Sequence, residues 1–495
     1  MNKLILFIAT IVSLTSLYFS FNLHYILTYN DAASHLNIAR RMVDSLTPGV
    51  AQIGTVWLPL PHLLMLPFAM NDFLWHTGLA GSIVSIIAFI AGVSFLYKLL
   101  YILTENIWGS VIGTLIFALN PNLLYMQTTP MTETLLITAI VISIYYLAKF
   151  SKTYDINDLI LCSAFVSAAT LIRYDGWFLF ACLSILLPIW LSVVRGRRRA
   201  ESSFILFVAS GGFGIYLWFL WNYFIFGDAL YFITGPYSAA AQQKVLQQVG
   251  QLPTQHNIYL AGLYYIWAVI NNNGMLLTIA GFIGICIVPF ILRKKSQLLV
   301  LFAIISPIIF NIIALFLGQS AMNVPQAPTN PGMFNIRYGM MALPAIAVVL
   351  GIVASNKYAR IIVLFLLIAQ SYLFVIQGVP VTLADGLHGL QETYYTIEAS
   401  KWLAEHYKGG LILTSLASHD AFVARAGIPM KNYIHEGTRN HWTDALREPS
   451  KSVQYIAVLS YPPDSVYRIL YNNPDFLENY EIIHTYKKFD IYEKK

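Results

Sequence analysis

Runs of about twenty apolar residues recur from the start of the chain to about Val379, separated by short polar connections. A run of that length crosses a hydrocarbon core of about 30 Å as a helix, the single-segment structure that satisfies its own backbone in lipid. The pattern predicts about eleven spans, near residues 4–22, 79–99, 107–125, 133–150, 158–172, 177–194, 203–224, 274–292, 297–317, 338–355 and 360–379. The first run lacks a small-residue cleavage site and leads into an amphipathic stretch, so it reads as a span and not as a signal peptide.

Three connections on one side are far longer than joining two helices requires, and extra length is where function is usually carried. In the first, 23–78, Ala33, Leu36, Ala39, Met42 and Val43 recur at spacings of three and four. That spacing predicts a helix over Asp31 to Ser45 lying in the interface, with Asn37, Arg40, Arg41 and Asp44 turned to water. A proline-punctuated stretch follows, from Trp57 through Pro59, Pro61 and Pro67, with His62 inside it; it reads as a segment dipping into the outer leaflet. In the second, 226–273, Tyr231, Tyr237 and several glutamines precede an apolar patch from Ile258 to Ile270 that reads as lying flat. The third, 318–337, holds Pro325, Pro328 and Pro331, reads as a mobile loop and ends on Arg337-Tyr338. Beyond Pro380 the pattern turns soluble, with a helix over Glu392 to Tyr407 and β-rich runs at Leu411–Leu416, Tyr455–Ser460 and Glu481–Tyr486. The predicted fold class is an α-helical polytopic membrane protein over 1–379, followed by a small extracytoplasmic α/β domain over 380–495.

Composition agrees: 57% of residues are hydrophobic and 11% charged, with a mean hydropathy of +0.62. Every second connection collects the basic residues: Lys98, Lys149, Lys152, the run Arg195 to Arg199, Arg293 to Lys295, Lys357 and Arg360. Because Lys and Arg in short loops resist translocation, the N-terminus is predicted inside a multi-pass plasma membrane protein, with Asp31, Glu133, Asp175 and Asp228 outside. The net charge of +6 is mostly this bias and does not imply a nucleic-acid surface. Cys162, Cys182 and Cys286 all fall inside predicted spans and suggest no disulfide framework.

Chemistry is confined to the outer side. Asp31, with Asn30 before it and His35 one turn later, can act as a general base toward an incoming hydroxyl; it can also simply cap the helix it opens. Glu133 opens a span after Thr132, where an acid suits the helix dipole, and it can also face Asp31 across an outer cavity. Arg173, beside Tyr174 and Asp175, and Arg337, beside Tyr338, lie at outer helix ends. Either can snorkel, but two on the side of the acids suit a lipid phosphate, which guanidinium groups bind as a fork. His35 and His62 show no metal-site spacing with the acids, so no cofactor is required and polar packing is the simpler reading. Trp57, Trp108, Trp177 and Trp221 fit an aromatic belt.

At these residues the chain resembles the GT-C superfamily of polytopic glycosyltransferases, in the branch of protein O-mannosyltransferases and bacterial aminoarabinose and lipopolysaccharide-core sugar transferases. The resemblance lies in Asn30-Asp31 with His35, Trp57 to Pro67, Thr129 to Glu133, Leu171 to Trp177, Trp221 to Asp228 and Asn335 to Tyr338. It implies that Asp31 is the first-loop catalytic acid, that Glu133 lies beside the reaction centre, and that Arg337, with Arg173 and Tyr338, contacts a donor phosphate. It further implies a polyprenyl- or dolichyl-phosphate sugar donor, a protein, lipid or glycan acceptor outside the cytoplasm, and inversion at the anomeric carbon, the sugar being a hexose such as mannose. Ala32 follows Asp31 where eukaryotic protein O-mannosyltransferases carry Asp-Glu, and the tail reads as α/β, not as their β-trefoil. Two other readings are a secondary transporter, which calls for charges near the bilayer midplane, and a non-catalytic envelope-assembly protein.

Overall fold

The computed structural model describes residues 2–54, 56–236, 238–248, 250–292, 295–329, 331–460 and 464–495; Tyr237, Arg293 and Lys294 lie outside them. Among the described residues, eight helices are long and apolar enough to cross a membrane. They include Lys3–Asn22, Leu79–Thr104, Glu133–Thr153, Asp175–Arg195 and Ile336–Val353. Three shorter apolar helices, Ile107–Ala118, Ile156–Thr170 and Met275–Ile291, occupy the remaining predicted positions. Small residues let these helices approach closely, the usual packing device where lipid removes the hydrophobic drive. A Cβ at Gly113, for instance, would meet the Ala347 carbonyl oxygen at 2.6 Å.

The bundle has a basic end and an acidic end. At the first, Lys149 pairs with Asp158 at 2.8 Å, Lys152 with Glu105 at 2.9 Å, and Arg195 stacks 3.8 Å over Tyr154. The same helices carry Glu133 and Asp175 at their opposite ends.

The first long connection folds into helices Asn30–Arg41, Leu60–Ala69 and Asp72–Thr77. The amphipathic spacing predicts the first of these correctly, but its polar face is not turned to water. Asn37 is buried and Arg40 is 8% exposed. Arg40 reaches Asp44, Asp72 and the carbonyls of Ala69 and Met70, while Asn37 receives the Trp75 indole N–H and donates to Asp420. Polar groups on that face are satisfied by protein partners, so burying them carries little penalty.

The patch from Ile258 forms helix Ile258–Asn273, which buries Ala261, Tyr264, Tyr265, Ala268 and Val269 against its neighbours. In the third connection Asn323 and Phe334 pair through their backbones, Asn335 donates to the Ala321 carbonyl at 3.0 Å, and the Tyr264 hydroxyl bonds Thr329.

After the last span, helix Val381–Glu392 returns to the acidic end, and helix Tyr394–His406 leads into a five-stranded sheet. Its strands are β1 (Leu411–Leu413), β2 (Tyr433–Ile434), β3 (Val453–Leu459), β4 (Tyr480–Tyr486) and β5 (Phe489–Lys494), in the order β2-β1-β3-β5-β4. The first three are parallel; β5 runs antiparallel to β3 and β4. Helix Leu416–Ala426, the crossover that a parallel β1–β2 pair requires, packs on Asn30–Arg41 and joins the sheet to the first long connection.

Candidate active site

Arg337 is the hub. Its Nε donates to Glu133 Oε1 at 3.1 Å and its Nη2 to Asp31 Oδ2 at 2.8 Å. The guanidinium lies between two phenol rings, 4.8 Å from Tyr29 and 5.2 Å from Tyr338. Arg173 completes the cluster: Nη1 donates to the same Glu133 oxygen at 3.1 Å, Nε to Asp175 Oδ2 at 3.3 Å, and the group sits 4.8 Å over Tyr338. Burial opposes the charge on Arg173, but Glu133 and Asp175 outweigh it and hold the group protonated above its ordinary range. Asp31, Glu133, Arg173, Asp175 and Arg337 therefore share one ion-pair network at one end of the bundle, with the Tyr338 ring against both arginines.

Neither acid acts as a side-chain cap of its helix: the cap positions are Tyr29, ahead of Asn30-Asp31, and Thr132, ahead of Glu133, and neither helix start has a side-chain cap bond. Their exposures differ sharply: the Asp31 side chain is 42% exposed and that of Glu133 is 0% exposed. Glu133 keeps one arginine partner if the other is removed, whereas removing both would strand its buried negative charge, a loss of about 3–5 kcal/mol for a broken buried pair.

Arg337 sits on a short 3₁₀ segment, Ile336–Ala342, whose carbonyls lack α-helical partners. Two buried amides supply them: Asn272 Nδ2 donates to the Ile336 carbonyl at 2.6 Å and Asn273 Nδ2 to that of Gly339 at 3.0 Å. Asn120 and Asn122 in turn donate to the Asn272 carbonyl. The segment presses so closely on helix Ile258–Asn273 that a Cβ on Gly339 would collide with the Ala268 carbonyl.

His35 and His62 form a pair, Nδ1 to Nε2 at 2.9 Å, with Trp57 stacked on His35 at 4.5 Å. Burial pushes the His35 imidazole down to about 4, so the ring is neutral at neutral pH. Asn30 turns away from the arginines and accepts from the Thr393 hydroxyl at 3.3 Å.

Four members of the site were not singled out from sequence: Tyr29, Asp385, Asn272 and Asn273. Asp385 Oδ2 lies 3.9 Å from Arg337 Nη1 and 3.2 Å from the Tyr29 hydroxyl. The signals were present as a run of three asparagines, Asn271 to Asn273, closing an apolar helix, and a lone acid just beyond the last span.

No family model and no curated protein matches the sequence. Solved structures do. ArnT from Cupriavidus metallidurans, bound to undecaprenyl phosphate, is similar over 99% of this chain and 97% of its own, with a TM-score of 0.58 and 11% identity. The chain shares the fold of that membrane protein. The Archaeoglobus fulgidus oligosaccharyltransferase in complex with Zn and sulfate is similar over 92% of this chain and 68% of its own, with a TM-score of 0.51 and 11% identity. The archaeal oligosaccharyltransferase AglB from the same organism, in complex with an inhibitory peptide and a dolichol-phosphate, covers the whole chain and 74% of its own, at a TM-score of 0.50 and 11% identity.

Proposed function

We propose that this GT-C fold is an inverting glycosyltransferase that moves a sugar, a hexose such as mannose, from a polyprenyl-phosphate donor to an acceptor on the extracytoplasmic face of the plasma membrane. The observation that carries the reading is Arg337 bonded at once to a half-exposed carboxylate and a buried one. Asp31 is the base because it is the acid of that pair that an acceptor hydroxyl can reach. It takes the hydroxyl proton as the oxygen bonds to the anomeric carbon from one face, while the carbon–oxygen bond to phosphate breaks on the other and the lipid phosphate leaves with the electron pair. Arg337 and Arg173 stabilise that leaving anion, with Tyr338 packed between them. Glu133, buried under both arginines, acts as a positioning residue that fixes the fork.

The test is transfer by purified protein from lipid-phosphate sugars to membrane acceptors. Asp31→Asn should still bind donor yet transfer sugar about 10²–10⁴-fold more slowly, the usual range for a lost general base. Turnover near the wild-type rate would exclude Asp31 from the chemistry.

A further inference from the structure

Arg337 has one nitrogen without a hydrogen bond among the described residues. Nε serves Glu133 and Nη2 serves Asp31, whereas Nη1 stands 3.9 Å from Asp385 Oδ2, within ion-pair range and beyond hydrogen-bonding distance. Asp385 is held there by its helix, Val381–Glu392. The Thr382 N–H and hydroxyl both donate to Asn122 Oδ1 at 3.0 Å, and the Tyr29 hydroxyl donates to the Thr382 carbonyl at 2.5 Å while also facing Asp385 Oδ2. The carboxylate is 5% exposed and divided between a phenol and a guanidinium. Around it, Asp31, Glu133 and Asp175 already outnumber Arg173 and Arg337, so Asp385 adds negative charge that the arginines do not need.

We propose that Asp385 competes with phosphate for Arg337 Nη1 and thereby disfavours the product lipid phosphate more than the donor. The inference rests on Arg337 as the phosphate-binding residue. The donor is a phosphodiester with one negative charge. The product is a monoester carrying about 1.5 to 2 charges at pH 7, because its second ionisation lies near 6. A fixed carboxylate a few ångströms away repels the more highly charged species more strongly. Once the glycosidic bond has formed, the group gaining charge is opposed by a carboxylate able to reclaim Nη1, and release follows. On donor binding, Asp385 withdraws onto the Tyr29 hydroxyl.

The test measures binding of a polyprenyl phosphate monoester and of the corresponding polyprenyl methyl phosphate diester to the full-length protein in detergent, with neutral polyprenol as background. Asp385→Asn, which keeps an acceptor for Tyr29, should bind the monoester about tenfold more tightly and the diester by a distinctly smaller factor. Tyr29→Phe keeps the ring over Arg337 but frees the carboxylate from its phenol, and should shift monoester binding the opposite way. Tyr29→Phe thus tests the inference even if Asp385→Asn folds poorly. Equal or weaker monoester binding by a folded Asp385→Asn, or unchanged binding by Tyr29→Phe, overturns the inference. Arg337→Lys separates the two readings: weakened monoester binding there with no effect at Asp385 removes the competitor and leaves the phosphate site. Wild-type binding by Arg337→Lys overturns both.

Discussion

The histidine pair shows how much one missing contact decides. His62 Nδ1 is buried with no partner among the described residues, while its Nε2 meets His35 Nδ1. A buried N–H without an acceptor costs more than a lone pair without a donor, because a carbonyl or imidazole acceptor tolerates under-satisfaction better than a donor does. His62 therefore carries its proton on Nε2 and donates to His35, which leaves the His35 proton on its own Nε2. The open nitrogen of His35 is then a donor and not a base, which under the proposed function leaves proton abstraction to Asp31, one turn earlier on the same helix. His35→Asn, whose side-chain oxygen can take the His62 N–H, should cost less stability than His35→Phe, which strands that donor for about 1–3 kcal/mol. Thermal unfolding of the two purified variants checks it; equal losses would reverse the tautomer.

At the scale of elements, the arginine at the hub is only as well placed as the 3₁₀ segment beneath it, and that segment depends on amides from another helix. Asn272→Ala removes the donor to the Ile336 carbonyl, next to Arg337, and a displacement of about 1 Å at a catalytic group can cost about 10²-fold in rate. Transfer by Asn272→Ala should fall tenfold or more by this reasoning, whereas Asn271→Ala, whose amide among the described residues bonds Gln326 and its own helix, should stay near wild type. Initial rates with both variants decide it, and equal rates would show that the amides merely fill space. The same elements mark where sequence was legible. Helix Asn30–Arg41 was readable because its apolar residues repeat with the period of a helix, and the spans because lipid demands long apolar runs. What covers the polar face of that helix was not, since Trp75 arrives from a later helix of the same connection and Asp420 from far away in sequence. Strand β2 is two residues long and left no periodic signal. Asp385 stayed hidden because it follows the break in composition at Pro380, where a reading by hydropathy hands the chain to the sheet, while the helix it lies on packs back into the site. Asp31, Glu133, Arg173 and Arg337 were visible for the opposite reason: charges at the ends of apolar spans stand out.

In the whole molecule, the sheet domain is fastened to the very segment that bears Asp31. Arg425 donates to the Leu27 carbonyl at 2.8 Å, the Met430 and Lys431 N–H groups donate to Asp44 at 3.2 Å, and Gln52 donates to the Gly437 carbonyl at 2.8 Å. The centre of this junction is Asp420, whose carboxylate accepts from the Ser34 hydroxyl at 2.7 Å and from Asn37 at 3.2 Å. Burial raises the Asp420 carboxyl to about 6, against the lowering effects of Ser34, Arg41 and Asn37 and with Glu436 adding to the rise. Because the folded state holds this proton more tightly than the unfolded chain does, the folded protein binds more protons between about pH 4 and pH 6, and stability falls as pH rises through that window. The loss is on the order of 3 kcal/mol and is complete above about pH 7. Asp420→Asn cannot ionise, so its advantage over wild type should be smallest near pH 4.5 and grow to several degrees of melting midpoint near pH 7.5. Melting curves of the two proteins across that range measure the difference directly, with all other titrating groups common to both. A gap that stays constant with pH would mean that the junction holds an ionised carboxylate throughout, and that the helix carrying Asp31 is insensitive to proton uptake at its far face.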